Sequence, residues 1–150
     1  MNSLSRPAQR QSLAGSRLRK HSDYLRAYAA ARKRQSASMS WFLAPQISGA
    51  VVPPQAHVAP RVGLTVGKVL GKATERNRIK RRMREALRRH VGLLPEGFDL
   101  IFHPRRNVLT MEFAQLEAEI VRILEQARTE ASRAVKSHVA ALQATGTPAS

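Results

Sequence analysis

The chain of 150 residues has no cysteine, which excludes a disulfide framework, a Cys-ligated zinc site and a catalytic thiol. It has no apolar run approaching the roughly 18 residues that a membrane-spanning helix needs. Its N-terminus, MNSLSRPAQRQSLAGSR, carries basic residues but lacks the apolar centre of a secretory signal. In its Arg and Ser content that segment resembles an organellar transit segment, yet it forms no obvious amphipathic helix. Acidic side chains are few, 10 Asp and Glu against 26 Lys and Arg, for a formal net charge of +16. What is present in quantity is apolar: 43% of residues, enough for a modest core and against wholesale disorder. One compact domain with loose ends, cytoplasmic and facing a polyanion, is the expectation.

The positive charge is concentrated. Residues 6–34 hold nine basic side chains against Asp23 alone, a net +8. Residues 68–89 hold ten against Glu75 and Glu85, again +8. The remaining seven basic and seven acidic residues cancel. Two segments therefore supply the whole excess, as on a nucleic-acid-binding face rather than a generally cationic surface.

Along the chain, residues 1–17 read as a flexible basic tail. Ser22 can cap a helix over about 23–33, with Asp23 in its first turn and Tyr24, Ala27, Tyr28 and Ala31 at helical spacing. Met39 to Ala44 reads as a strand ending at Pro45, residues 46–59 as a loop, and 61–67 as a second strand. A glycine-punctuated basic connection, GKVLGK, leads to a long helix starting near Thr74, whose apolar stripe is Ile79, Met83, Ala86 and Leu87. Phe98, Leu100 and Phe102 alternate in a third strand. A last amphipathic helix of mixed charge covers about 112–128, and an Ala-rich extension occupies 129–150. Periodicity thus gives an α+β domain over 18–128.

On the long helix Asn77, Arg81, Arg84 and Arg88 recur at steps of four, three and four, opposite Ile79 and Leu87. Arg76 and Lys80 flank them on one side, with Arg78, Arg82 and Arg89 on the other. Only Glu85 breaks the positive run from 76 to 89. A solvated helix usually mixes signs, and repulsion of this kind is offset when several phosphates are neutralised at once by the rigid donor forks of arginine.

The stretch GKATERNRIKRRMREALR resembles the signature of the bacterial ribonuclease P protein component, in which an Arg-Asn-Arg motif, here Arg76, Asn77 and Arg78, opens a basic helix. RVGLTVGKVLGKA is similar to that family's strand and loop, and LRKHSDYLRAY to its first helix. The resemblance covers about residues 18–128. It implies a two-layer α/β sandwich of αβββαβα type with a left-handed βαβ crossover. It also implies a catalytic RNA subunit as partner, which uses Mg²⁺ that it mainly holds itself to cut precursor tRNA at the 5′ end of the mature sequence. Lys68, Lys72, Arg76, Asn77, Arg78, Lys80, Arg81, Arg84 and Arg88 are then the RNA-binding residues, and the protein supplies no catalytic or metal-ligating residue. The five histidines (His21, His57, His90, His103 and His138) are scattered in the sequence.

The same resemblance implies a cleft for the substrate's single-stranded 5′ leader. Tyr24 and Tyr28, one helical turn apart, match two aromatic positions where Phe is more usual, and Phe42 matches an aromatic on the central strand. Stacking of a base on such a ring is worth roughly 1–3 kcal/mol and is tolerant of sequence. Packing on the sheet is the alternative role for the tyrosines, and one ring can do both. On that ungapped match Trp41 points the other way, into the core, whereas a one-residue gap would exchange the roles of Trp41 and Phe42. Where the family's loop commonly has Ser-Lys-Lys, this chain has Gly67, Lys68 and Val69, one cation fewer. Arg105 and Arg106 read as ordinary turn charges. No membrane partner and no protein oligomer is required. A ribosomal or other structured-RNA-binding protein is the nearest alternative. A DNA regulator would need a zipper or a second short helix, and a membrane-surface helix would need aromatics in its apolar stripe.

Overall fold

A computed structural model describes residues 13–46 and 59–145. Residues 1–12 of the expected tail, most of the 46–59 loop and residues 146–150 lie outside the described residues. The elements run α1 (His21–Ala30), β1 (Arg32–Gln35), β2 (Met39–Pro45), β3 (Arg61–Leu64), α2 (Ala73–Arg88), β4 (Phe98–Pro104) and α3 (Phe113–Thr145). The α+β class and the αβββαβα order are those expected.

The four strands form one sheet in the order β1-β2-β4-β3. β2 pairs antiparallel with β1 and with β4, whereas β3 lies parallel to β4, in register from Arg61 opposite Asp99 to Leu64 opposite Phe102. A parallel pair needs a crossover connection, and α2 provides it. Alternation along the strands then sorts the side chains. Met39 and Trp41 of β2, Val62 of β3, and Leu100 and Phe102 of β4 face the main core, with Ile79, Met83 and Leu87 of α2 and Leu116, Ile120 and Leu124 of α3. Ala44 and Ile101 face the other way, against Leu18 and Ala27.

That second face corrects the two-layer expectation. α1 lies on the side of the sheet opposite α2 and α3, because Ala27, Tyr24 and Tyr28 bury against residues whose strand neighbours point into the main core. α1 also starts and ends earlier than the predicted 23–33, with Lys20 as its N-cap and Ser22 inside the helix. Ala31 turns extended, and Arg32–Gln35 pairs with β2 as an edge strand. Four polar residues carry no apolar alternation, so periodicity gave no sign of β1; the unpaired backbone of β2 recruits it.

Other differences are local. β3 stops at Leu64, though Thr65 N–H still reaches Phe102 O at 3.0 Å. α2 begins at Ala73 with Lys72 as its N-cap, so Thr74 is inside the helix rather than capping it. Within the stretch read as a tail, Leu13 is buried in the main core and Arg17 forms a parallel bridge to Val62, and just after it Leu18 N–H donates to Val62 O at 2.9 Å. α3 passes the expected end at 128 without a break and buries Ala127 and Ala131. Buried Glu119 of α3 accepts hydrogen bonds from Ser38 N–H at 2.8 Å and from the Ser36 hydroxyl, which fixes the β1–β2 turn.

Candidate nucleic-acid interface

The cationic half of the site is set by how α2 begins. Gly71 has φ +132°, and a Cβ there would lie 2.4 Å from Glu75 Oε1 and 2.5 Å from Arg106 Nη1. Only glycine fits a left-handed backbone pressed this closely. Lys72 N–H donates to Glu75 Oε1 at 3.0 Å, and Arg106 donates to Glu75 Oε2 at 2.9 Å and to Leu70 O at 2.6 Å. The hydrogen bonds it accepts, Arg106's first and then that of Lys72, hold the Glu75 carboxyl down at about 2. Arg106 is therefore a clamp on the basic loop rather than a turn charge. Arg105 likewise donates to Ser36 O at 2.9 Å, across the β1–β2 turn.

The arginines of α2 divide by direction. Arg82 donates to Met111 O, and Arg89 reaches Glu117 at 3.4 Å with its guanidinium 4.9 Å from the Phe113 ring centroid, so both tie α2 to the chain between β4 and the first turns of α3. Arg76 donates through Nε to Gly71 O at 3.1 Å, and Arg88 pairs with Glu85. Asn77, Arg78, Arg81 and Arg84 are exposed, with Lys80 half-buried beside them and Lys68 and Lys72 exposed in the approach to the helix. Among the described residues, Arg78, Arg81 and Arg84 carry no ion pair. Ile79, Met83, Ala86 and Leu87 hold the opposite face in the core.

The aromatic half is built on α1 and the sheet. Arg61 donates to both carboxylate oxygens of buried Asp99, at 2.9 and 3.0 Å, and to Asp23 of α1 at 3.2 Å. Burial pushes the Asp99 carboxyl up and the Arg61 fork pulls against it. This bridge sets α1 along the sheet. Gly63 sets its height, since a Cβ there would meet the Tyr24 hydroxyl at 2.5 Å. The Tyr24 and Tyr28 rings stand 6.3 Å apart, and the Phe42 ring meets Tyr28 edge-on at 5.1 Å. All three are half-buried, while Trp41 is 1% exposed in the main core, as its place in the alternation requires.

A fourth ring joins them. His103 lies 5.6 Å from Tyr28 and 5.0 Å from Phe42. The Tyr28 hydroxyl sits between His103 Nε2 at 2.7 Å and Thr65 Oγ1 at 3.1 Å. Burial, and then the charge of Lys33, lower the His103 pKa. Lys33 pairs with Phe42 in the β1–β2 register and so shares its face. The histidines looked scattered in the sequence, but the alternation of Phe98, Leu100 and Phe102 already implied that Asp99, Ile101 and His103 share the opposite face of β4.

The two halves meet. Arg84 of α2 and Tyr24 of α1 line one cavity of about 50 Å³ beside Gly63, with Arg17 at the same wall. The site thus offers unpaired cations for phosphates and, next to them, half-buried rings for bases. Gly63→Ala is expected to force Tyr24 off the sheet, at about 1–3 kcal/mol of stability as in other overpacked sites. Chemical denaturation with Tyr fluorescence measures this; unchanged stability would mean that Tyr24 is not seated on Gly63.

A family model described as Ribonuclease P matches residues 14–128. The chain is 47% identical over 68 residues to the ribonuclease P protein component of Chloroflexus aggregans, covering 45% of this chain and 50% of that protein. It is 32% identical over 112 residues to the ribonuclease P protein component of a Synechococcus species, covering 74% and 80%. Among solved structures, the RNase P protein from Thermotoga maritima superposes with a TM-score of 0.60 at 27% identity, over 74% of this chain and 96% of that one. The stretch aligned with Chloroflexus is thus half of that relative's length.

Proposed function

The chain belongs to the ribonuclease P protein family, and on that footing we propose that it serves as the protein subunit of ribonuclease P, a ribonucleoprotein endoribonuclease of tRNA processing, acting in the cytoplasm. The observation that carries this reading is the contiguity of the exposed α2 arginines with the Tyr24–Tyr28–Phe42 face at Arg84 and Tyr24.

Arg78, Arg81 and Arg84, with Asn77, Lys80 and Arg76, dock on the catalytic RNA and neutralise its phosphates. Lys68 and Lys72 extend that charge along the loop towards the substrate. The rings of Tyr24, Tyr28 and Phe42 stack on bases of the precursor's 5′ leader, which the mature tRNA no longer has. Binding energy confined to the precursor discriminates it from product without any protein group touching the scissile bond.

The Mg²⁺ chemistry belongs to the RNA subunit on this reading. Asn77 is flanked by Arg76, Arg78 and Arg81, a setting that repels a divalent ion. Among the described residues no three His, Asp or Glu side chains gather as ligands. Nor is any described helix long and apolar enough to cross a membrane.

The test is cleavage of a precursor tRNA by the matching catalytic RNA at low Mg²⁺, with and without the protein. Stimulation that grows with leader length, and no cleavage by the protein alone, is the expected result. Tight RNA binding without stimulation would instead indicate a general structured-RNA-binding protein. Cleavage by the protein alone would overturn the division of labour.

A further inference from the structure

We infer that His103 is a specificity-determining residue of this face, one that reads the edge of a leader base through its Nδ1 while the neighbouring rings hold that base by stacking. The inference rests on the leader-binding reading and adds to it a residue and a kind of selectivity that stacking alone does not supply. Stacking on a ring is tolerant of base identity, because every base has a π face. A committed hydrogen-bonding group beside the stack is not.

The geometry commits this histidine. Its Nε2 is engaged by the Tyr28 hydroxyl at 2.7 Å, and that hydroxyl is shared with Thr65 at 3.1 Å. A hydroxyl has one proton, so the Thr65–Tyr28–His103 chain runs in one direction or the other. In either direction Nε2 is used internally and Nδ1 has no partner among the described residues. The groups around the ring keep it neutral. Lys33 of β1 stands on the same face, Phe42 of β2 and Tyr28 of α1 enclose it, and no carboxylate is paired with it among the described residues. A neutral ring with Nε2 fixed presents Nδ1 as a donor or as an acceptor, not both. A phenylalanine or aliphatic residue here would complete the apolar floor equally well but would have no polarity with which to choose between bases.

The test is internal competition. Holoenzyme reconstituted with the matching catalytic RNA is given a pool of precursor tRNAs whose leaders are randomised one position at a time, and relative kcat/KM is read by sequencing. The ratio between two leaders in one tube does not depend on how much enzyme is folded, so a variant that merely folds poorly leaves it unmoved. The expected result is a preference of about fivefold among bases at one leader position, the size of one net hydrogen bond, which His103→Phe flattens. Tyr28→Phe keeps the ring but releases Nε2, and is expected to weaken the same preference at the same position. The inference is overturned if His103→Phe retains the wild-type preference, for the histidine would then only support Tyr28. It is equally overturned if the wild-type enzyme shows no preference. Failure of the leader-binding reading looks different: stimulation would be independent of leader length in every variant.

Discussion

Tyr24→Ala combined with Tyr28→Ala is expected to lower the affinity of the holoenzyme for leader-bearing precursor by at least about thirtyfold, while affinity for mature tRNA stays as it was. Two stacked bases at roughly 1–3 kcal/mol each set the lower bound, since about 2 kcal/mol is a factor of about thirty. Both rings are half-buried, and Tyr24 closes over Gly63, so part of each also serves the fold. Measuring precursor and product side by side separates the two roles. An equal loss on both would show that the rings only hold α1 to the sheet, and a matched Tyr24→Phe and Tyr28→Phe pair should retain most of the leader-dependent affinity.

The second large effect is electrostatic. Arg78→Gln, Arg81→Gln and Arg84→Gln together are expected to flatten the salt dependence of binding to the catalytic RNA by about 2–3 units of log K against log salt, since each phosphate contact contributes roughly 0.7–0.9. At physiological ionic strength that slope corresponds to an affinity loss on the order of a hundredfold. The three side chains are exposed and carry no ion pair among the described residues, so circular dichroism and thermal melting should be nearly unchanged. The same substitutions at Arg82 and Arg89 are the control. Those side chains are engaged with Met111, Glu85, Glu117 and Phe113, and their loss is expected in stability before it is seen in RNA affinity. A salt slope that falls equally in both sets would mean that α2 presents a different face to the RNA.

Much of the fold and the cationic face was legible in the sequence because the physics behind them is periodic. The apolar stripe of α2 located the cations opposite it, and the alternation of β2 put Trp41 and Phe42 on opposite faces, while which of the two lies inside needed the structure. What was not legible came from pairings that leave no period. β1 is polar throughout and exists because β2 has backbone groups to satisfy. The side of the sheet that α1 covers was not legible either, since its apolar spacing says that it buries a stripe but not against what. The division of the arginines needed coordinates: a guanidinium reaches several ångströms from its Cα, so Arg81 and Arg82 are neighbours in the chain yet meet quite different surroundings. Arg106 and Glu75, 31 positions apart, and Tyr28 and His103, 75 apart, belong to the same class of long-range pairs.

The two borders of the sheet are finished differently. β3 is overlaid by the chain before α1, where Leu18 and Arg17 take up Val62. β1 is not overlaid in this way by any described residue, and it is the strand made of Arg32, Lys33, Arg34 and Gln35. Were a second molecule to extend the sheet by laying its own β1 alongside, arginine and lysine would stand opposite arginine and lysine, a repulsion that makes edge-to-edge growth unfavourable. The charge that gave no sign of a strand in the sequence is thus also what opposes edge-to-edge growth at this border of the sheet.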